Sequence, residues 1–201
     1  MTIRRIALLL LCGGLLLIGS CFMGSSILFL ESDAVKNPNL IVNPSFETKA
    51  SDKQILPKGW FLMGGSRDKA EVIVCDTTTY VSGKQSLKIQ GTENTVMIVS
   101  DAFRIEGQAG YFIKGSARSN SDYGPQVKIR FVAYSEAGTI RNTFTKRIRT
   151  SHEWHKGSIS AGFLKSDVHF GRVLIIIPPT DEEPVWIDDI GAFQVHHFPI
   201  D

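Results

Sequence analysis

From residue 39 onward the chain is a succession of short extended runs broken by turn residues, and no stretch of it carries a 3.6-residue apolar repeat. That pattern excludes a helical bundle and any doubly wound parallel sheet, both of which need amphipathic helices. Residues 126–135 show the period most clearly. Val127, Ile129, Phe131 and Ala133 share one face, with Arg130 and Tyr134 on the opposite one. Residues 140–149 follow across Glu136-Ala137-Gly138, a hairpin signal. Runs at 40–42, 70–75, 86–90, 95–104, 111–118, 154–161, 168–177 and 185–195 complete the series. Val173-Leu174-Ile175-Ile176-Ile177 is apolar without interruption, and residues 95–99 nearly so, which predicts strands buried on both faces. Short strands separated by Gly and Pro turns predict an all-β, two-sheet antiparallel β-sandwich, with inner faces packed about 10 Å apart.

Charge narrows the partners. The chain has 22 Lys+Arg and 20 Asp+Glu, and two of the positives are Arg4 and Arg5, so the folded part is neutral. A neutral chain without a basic stripe is a poor nucleic-acid binder. Arg4 and Arg5 precede the uncharged residues 6–30, long enough to span a bilayer with the amino terminus on the cytoplasmic side. Residues 6–18 alone fit the apolar region of a signal peptide. Ile18-Gly19-Ser20-Cys21 then resembles the lipobox of bacterial lipoproteins, in which Cys21 would carry the lipid. Lipoprotein, uncleaved anchor and simple secretion all place the folded part outside the cytoplasm. On this reading residues 1–30 are the targeting or anchor segment, 31–38 a linker, 39–195 the sandwich and 196–201 a tail.

Catalytic and redox motifs are sparse. Cys12 and Cys21 lie in the targeting segment, which leaves Cys75 as a small core residue in a strand-like run. His152 and His155 flank Trp154, and His196-His197 sit near the carboxyl end, without the three or four convergent ligands that zinc needs. There is no Gly-x-Ser-x-Gly elbow, phosphate loop or dinucleotide fingerprint. The expectation is a protein that is not an enzyme.

Several motifs in order carry a family likeness. Residues 39–47 read Asn-Leu-Ile-Val-Asn-Pro-Ser-Phe-Glu, and Gly59-Trp60 follow. Ser82-Gly83-Lys84-Gln85-Ser86-Leu87-Lys88-Ile89 opens a strand, Trp154 opens a late one, and Val185-Trp186-Ile187-Asp188-Asp189-Ile190 forms the last. This series resembles carbohydrate-binding modules of families 4, 9 and 22. The resemblance implies a galactose-binding-like jelly roll. It also implies a structural Ca2+ held by Glu47, Asp188 and carbonyls around Ser82 and Lys84, a mixed oxygen shell of the kind calcium accepts. The competing reading has Glu47 and Asp188 accept hydrogen bonds from turn amides or pair with Lys84.

Sugar recognition needs flat aromatic faces together with polar groups. Tyr80 and Tyr123 fall in loops, where binding residues gather. With Arg130 and Tyr134 they form the expected ligand-binding set. Arg141, Arg147 and Arg149 share one face of their strand, a pattern that protects a sheet edge or meets an anionic polysaccharide or lipid headgroups. The function expected is non-catalytic binding of a polysaccharide or other glycan by a membrane-tethered extracytoplasmic module. A structural or protein-interaction module of the cell envelope is the alternative.

Overall fold

The computed structural model describes residues 28–50, 56–64, 72–180 and 182–198. After one helical turn, α1 (Glu31–Ala34), come eleven strands: β1 (Trp60–Leu62), β2 (Ile73–Asp76), β3 (Ser86–Ile89), β4 (Val96–Ser100), β5 (Phe103–Arg104), β6 (Ala109–Ser119), β7 (Gln126–Ser135), β8 (Ile140–Arg149), β9 (His155–Ala161), β10 (Val168–Ile177) and β11 (Val185–His197). The first sheet runs β1-β4-β10-β7-β8, with β5 beside β10, and the second runs β2-β3-β11-β6-β9. All pairings are antiparallel. This is the expected two-sheet sandwich. The neighbours β4-β10-β7 and β3-β11-β6 are remote in sequence, so long-range pairing holds both sheets.

The period-two residues fill the space between the layers. Val127, Ile129, Phe131 and Ala133 of β7 meet Val173, Ile175 and Ile177 of β10, and face Ile113, Leu87, Ile89, Ile187 and Ile190 of the second sheet. Phe131 is fully buried and lies between Phe103, Tyr111 and Phe144, with ring centroids 5.9–6.2 Å away. Burial of a side chain of this size contributes roughly 1.5–3 kcal/mol. The β7–β8 hairpin closes at Gly138, which takes φ 78°, and Ser135 N donates to Thr139 O at 2.9 Å.

Several elements depart from the sequence expectation. Residues 40–42 bend instead of forming a strand. Asn39 Oδ1 accepts from Ile41 N and Ala192 N at 3.1 and 3.0 Å, and the segment folds into the core edge through Ile41 and Phe46. Residues 95–104 split into β4 and β5, because Asp101 N turns away to Gly59 O at 2.7 Å. Residues 60–62 pair with β4, and β11 runs on to His197, so residues 196–197 are strand and not tail. Residues 31–38, read as a linker, begin instead as part of a strap on the outer face of the second sheet. There Phe29 and Ala34 pack with Phe112 and Phe193, and Phe29 N donates to Ser160 Oγ at 3.0 Å. Glu31 meets Lys114 and Lys156 at 3.3 and 3.6 Å. A Cβ on Gly110 would fall 2.2 Å from the Phe29 ring, so the missing side chain is what lets the strap lie down. The lipobox-like residues 18–21, Cys21 among them, lie outside the described residues. Among the described residues no helix is long and apolar enough to cross a membrane.

Candidate functional site

Two places answer to the residues singled out by sequence. The first joins the opening and closing segments. Residues 77–85 connect β2 to β3 and pass beside β11, where Asp188 is fully buried. Asp188 Oδ2 accepts from Val81 N at 2.7 Å and Ser82 N at 2.8 Å, and Oδ1 accepts from Asp189 N at 2.6 Å. Glu47, which is exposed, accepts on Oε1 from Lys84 N at 2.8 Å and Gln85 N at 3.1 Å. Ser45 Oγ donates to Ser82 Oγ at 3.1 Å. Gly83 takes φ 70°, and a Cβ there would sit 2.2 Å from Glu47 Oε1. Burial raises the Asp188 carboxyl above its usual value, and three amide donors offset part of that rise.

The loop therefore brings Glu47, Ser82, Lys84 and Asp188 together, as the family resemblance implied. It faces the two carboxylates with N–H groups, which donate to oxygen and cannot ligate a cation. Among the described residues no three His, Cys, Asp or Glu side chains gather to hold a metal. Arranged in this way the set does not fit a calcium shell and does fit a pair of amide clamps. Asp189 breaks the strict alternation of a regular strand. Its φ is 53°, β11 bulges between Asp188 and Gly191, and its carboxylate reaches Lys114 Nζ at 2.7 Å.

The second place is the outer face of the first sheet. Pairing sets its side chains in cross-strand rows: Arg147, Lys128, Ile176, Met97; then Thr145, Arg130, Leu174, Val99, Phe61; then Thr143, Val132, Arg172; then Ile140, Tyr134, Phe170, Arg104. Val99, Val132 and Leu174 are buried although they point away from the core, and Tyr134 and Ile176 pack against them. The rings of Tyr134 and Phe170 stack at 5.1 Å with 11° between planes. Arg130 Nε donates to Thr145 Oγ1 at 3.2 Å, and an Arg172 guanidinium nitrogen donates to Ser100 O at 3.0 Å. These bonds hold both side chains close to the sheet. The strap covers part of the second sheet's outer face, whereas the cluster on the first sheet is built from its own strands alone.

Of the four expected ligand residues, only Arg130 and Tyr134 share this face. Tyr123 is 87% exposed and lies in the loop before β7, beside the His152–Asp122 pair (2.7 Å). From Gln126, where β7 begins, to Tyr134 is roughly 27 Å of strand, and Tyr123 lies beyond Gln126. Tyr80 is exposed in the β2–β3 loop of the second sheet. Phe170, Arg172 and Arg104 are the residues that sequence reasoning missed. Their signal lay in the unbroken apolar run of β10: its outward members Leu174 and Ile176 are apolar because they pave this platform, not because a second layer covers them.

The remaining candidates have local roles. Trp60 is buried and its Nε1 donates to Asn43 O at 3.0 Å. Trp186 packs on the outside of the second sheet between Lys88 and Arg118, donating to Asp76 Oδ2 at 2.7 Å. Cys75 is only partly buried, and desolvation raises its thiol above the ordinary value, which opposes nucleophilic reactivity. A cavity of about 310 Å3 lies under the strap, lined by Phe29, Glu31, Lys114 and Lys156 among others. A second, of about 360 Å3, lies between residues 37–40 and the end of β11. Both are remote from the platform, which is an open surface.

No family model matches the sequence. No curated protein matches it either. Solved structures do: carbohydrate-binding modules of families 16, 61, 4 and 22 share the fold. A family 16 module superposes with a TM-score of 0.58 at 13% identity, over 78% of this chain and 100% of that one. TmCBM61, solved with β-1,4-galactotriose, gives 0.53 at 16% identity, over 78% and 99%. The enzymatically active domain of bacteriophage CBA120 tailspike protein 4 gives 0.58 at 10% identity, and there this chain covers 21% of the larger protein. At these identities the likeness establishes the fold: this chain is a two-sheet antiparallel β-sandwich of the kind found in carbohydrate-binding modules.

Proposed function

We propose that the chain is a non-catalytic glycan-binding module, displayed outside the cytoplasm and tethered to a membrane by its amino-terminal segment. The observation that carries the binding reading is the outer face of the first sheet, where the flat Tyr134–Phe170 stack lies beside Arg104 and Arg172. Aromatic faces suit the C–H faces of a sugar ring, and the guanidinium donors suit its hydroxyls. An open sheet face accepts an extended chain without end constraints. The similar module solved with galactotriose supports the ligand class. Tethering rests on residues 6–30 and on Ile18-Gly19-Ser20-Cys21. In the test, Tyr134→Ala is compared with the parent chain by affinity electrophoresis through soluble polysaccharides, with thermal melts in parallel. Retardation should fall severalfold while the melt stays cooperative. Equal retardation of both chains refutes the assignment of the face.

Phe61 and Met63, at 40% and 43% exposure on the margin of the same face, favour a protein partner as the second reading. Loss of a crosslinked envelope partner in Phe61→Ser, with no glycan retarding the parent, would support it.

A further inference from the structure

The strands of the first sheet contain eight Lys or Arg residues and no Asp or Glu, whereas those of the second mix both signs. From this asymmetry we infer that the glycan is a polyanion: an extended polysaccharide with carboxylate or sulfate groups at intervals along its chain. The inference rests on the reading that this face binds glycan.

The cations are placed, not merely abundant. Pairing sets Lys128, Arg130, Arg172 and Arg104 on the outer face along a diagonal from β7 across β10 to β5. Each step advances one row, with or without a change of strand, so the backbone positions lie roughly 7–8 Å apart. Among the described residues none of the four forms an ion pair. Arg141, at the strand edge, is the one that does, with Asp167 at 2.7 Å. Protection of a sheet edge explains charge on β8, the outermost strand. It does not explain Lys128 and Arg130 on β7 or Arg172 on β10, which have neighbours on both sides. Like charges held together on a face without internal counterions repel one another, and an anionic ligand relieves that repulsion. A lipid surface is also anionic. Against it, Arg130 and Arg172 are hydrogen-bonded down to Thr145 and Ser100, close to the sheet, where a bound chain rather than a bilayer reaches them.

The experiment uses the full-length chain in nonionic detergent. Binding is measured to polygalacturonate and chondroitin sulfate as acidic polymers, to galactan and xylan as neutral ones, and, by flotation, to phosphatidylglycerol against phosphatidylcholine vesicles. The acidic polymers should bind and the neutral ones should not. Affinity should fall several-fold between about 20 and about 200 mM salt. Lys128→Gln combined with Arg104→Gln, both at exposed or half-exposed positions, should lower it about tenfold, since an exposed charge contact contributes up to about 1 kcal/mol. Neutral polymers that bind as tightly as acidic ones, with the double variant unchanged, overturn the polyanion inference and leave glycan binding standing. Failure of every polysaccharide overturns both. Preference for phosphatidylglycerol vesicles, lost in the double variant, with no polysaccharide bound, reassigns the face to lipid and also overturns both.

Discussion

Removal of the Asp188 carboxylate is the sharpest test of how this fold is closed. Asp188→Ala leaves the amides of Val81, Ser82 and Asp189 without their acceptor. The carboxylate is fully buried, so water does not readily replace it. A hydrogen bond to a charged group contributes about 1.5–3 kcal/mol. Three of them are offset by the desolvation that the buried charge no longer incurs, and the net loss expected is about 3–5 kcal/mol. For a domain of this size each kcal/mol lowers Tm by roughly 2–4 °C, so the fall should be on the order of 10 °C. Glu47→Ala removes the acceptor of two amides, but Glu47 is exposed and water takes its place. Its cost should be about 0.5–1.5 kcal/mol. Urea unfolding followed by tryptophan fluorescence, with m compared between variants, gives both values. A loss for Asp188→Ala no larger than that for Glu47→Ala would refute the reasoning. So would a parent chain whose Tm falls by several degrees in a chelator, because that result restores the calcium shell in place of the clamps. The expected result is an unchanged parent Tm.

Three further outcomes are expected. Burial works against ionisation of Asp76, but the Thr78 and Trp186 donors outweigh it and hold the carboxyl below its usual value. With the folded pKa depressed, its contribution is full above the unfolded value of about 3.9 and is lost as pH falls through the folded one. Melts between pH 6 and pH 2 should therefore show a smaller acid destabilisation in Asp76→Asn than in the parent, and identical profiles would remove the claim. Phe29→Ala should free the strap, raising amide hydrogen exchange across residues 28–35 while β7 and β10 stay protected; unchanged exchange would show that the ring does not hold it. Cys21→Ser should abolish metabolic labelling by fatty acid, and persistent label would place the anchor elsewhere.

Alternation made the sandwich legible. A residue in a strand faces one side or the other, so Val127, Ile129, Phe131 and Ala133 declare an inner face before any partner is known. Local chemistry also revealed the β7–β8 hairpin at Gly138, whereas the meeting of Glu47 and Asp188 at the loop around residues 82–84 was implied by the family resemblance alone. It did not reveal which atoms of that loop point inward. Amide or carbonyl is decided by backbone torsions, and those follow from Gly83, the left-handed Asp189 and the packing around them. Nor did it gather the residues of the first sheet's outer face. Tyr80 and Tyr123 are loop residues, and the fold sends them to other parts of the sandwich.

The amino-acid order alone thus determined the layers, the balance of charge and the apolar amino terminus, because each is a property of near neighbours. The tertiary structure decided that β10 lies between β4 and β7 and that β5 extends β4's side of it. That choice brings Arg104, Lys128, Arg130 and Arg172 onto one surface although up to 68 positions separate them. Electrostatic complementarity depends on distance in space, and pairing between remote strands sets that distance.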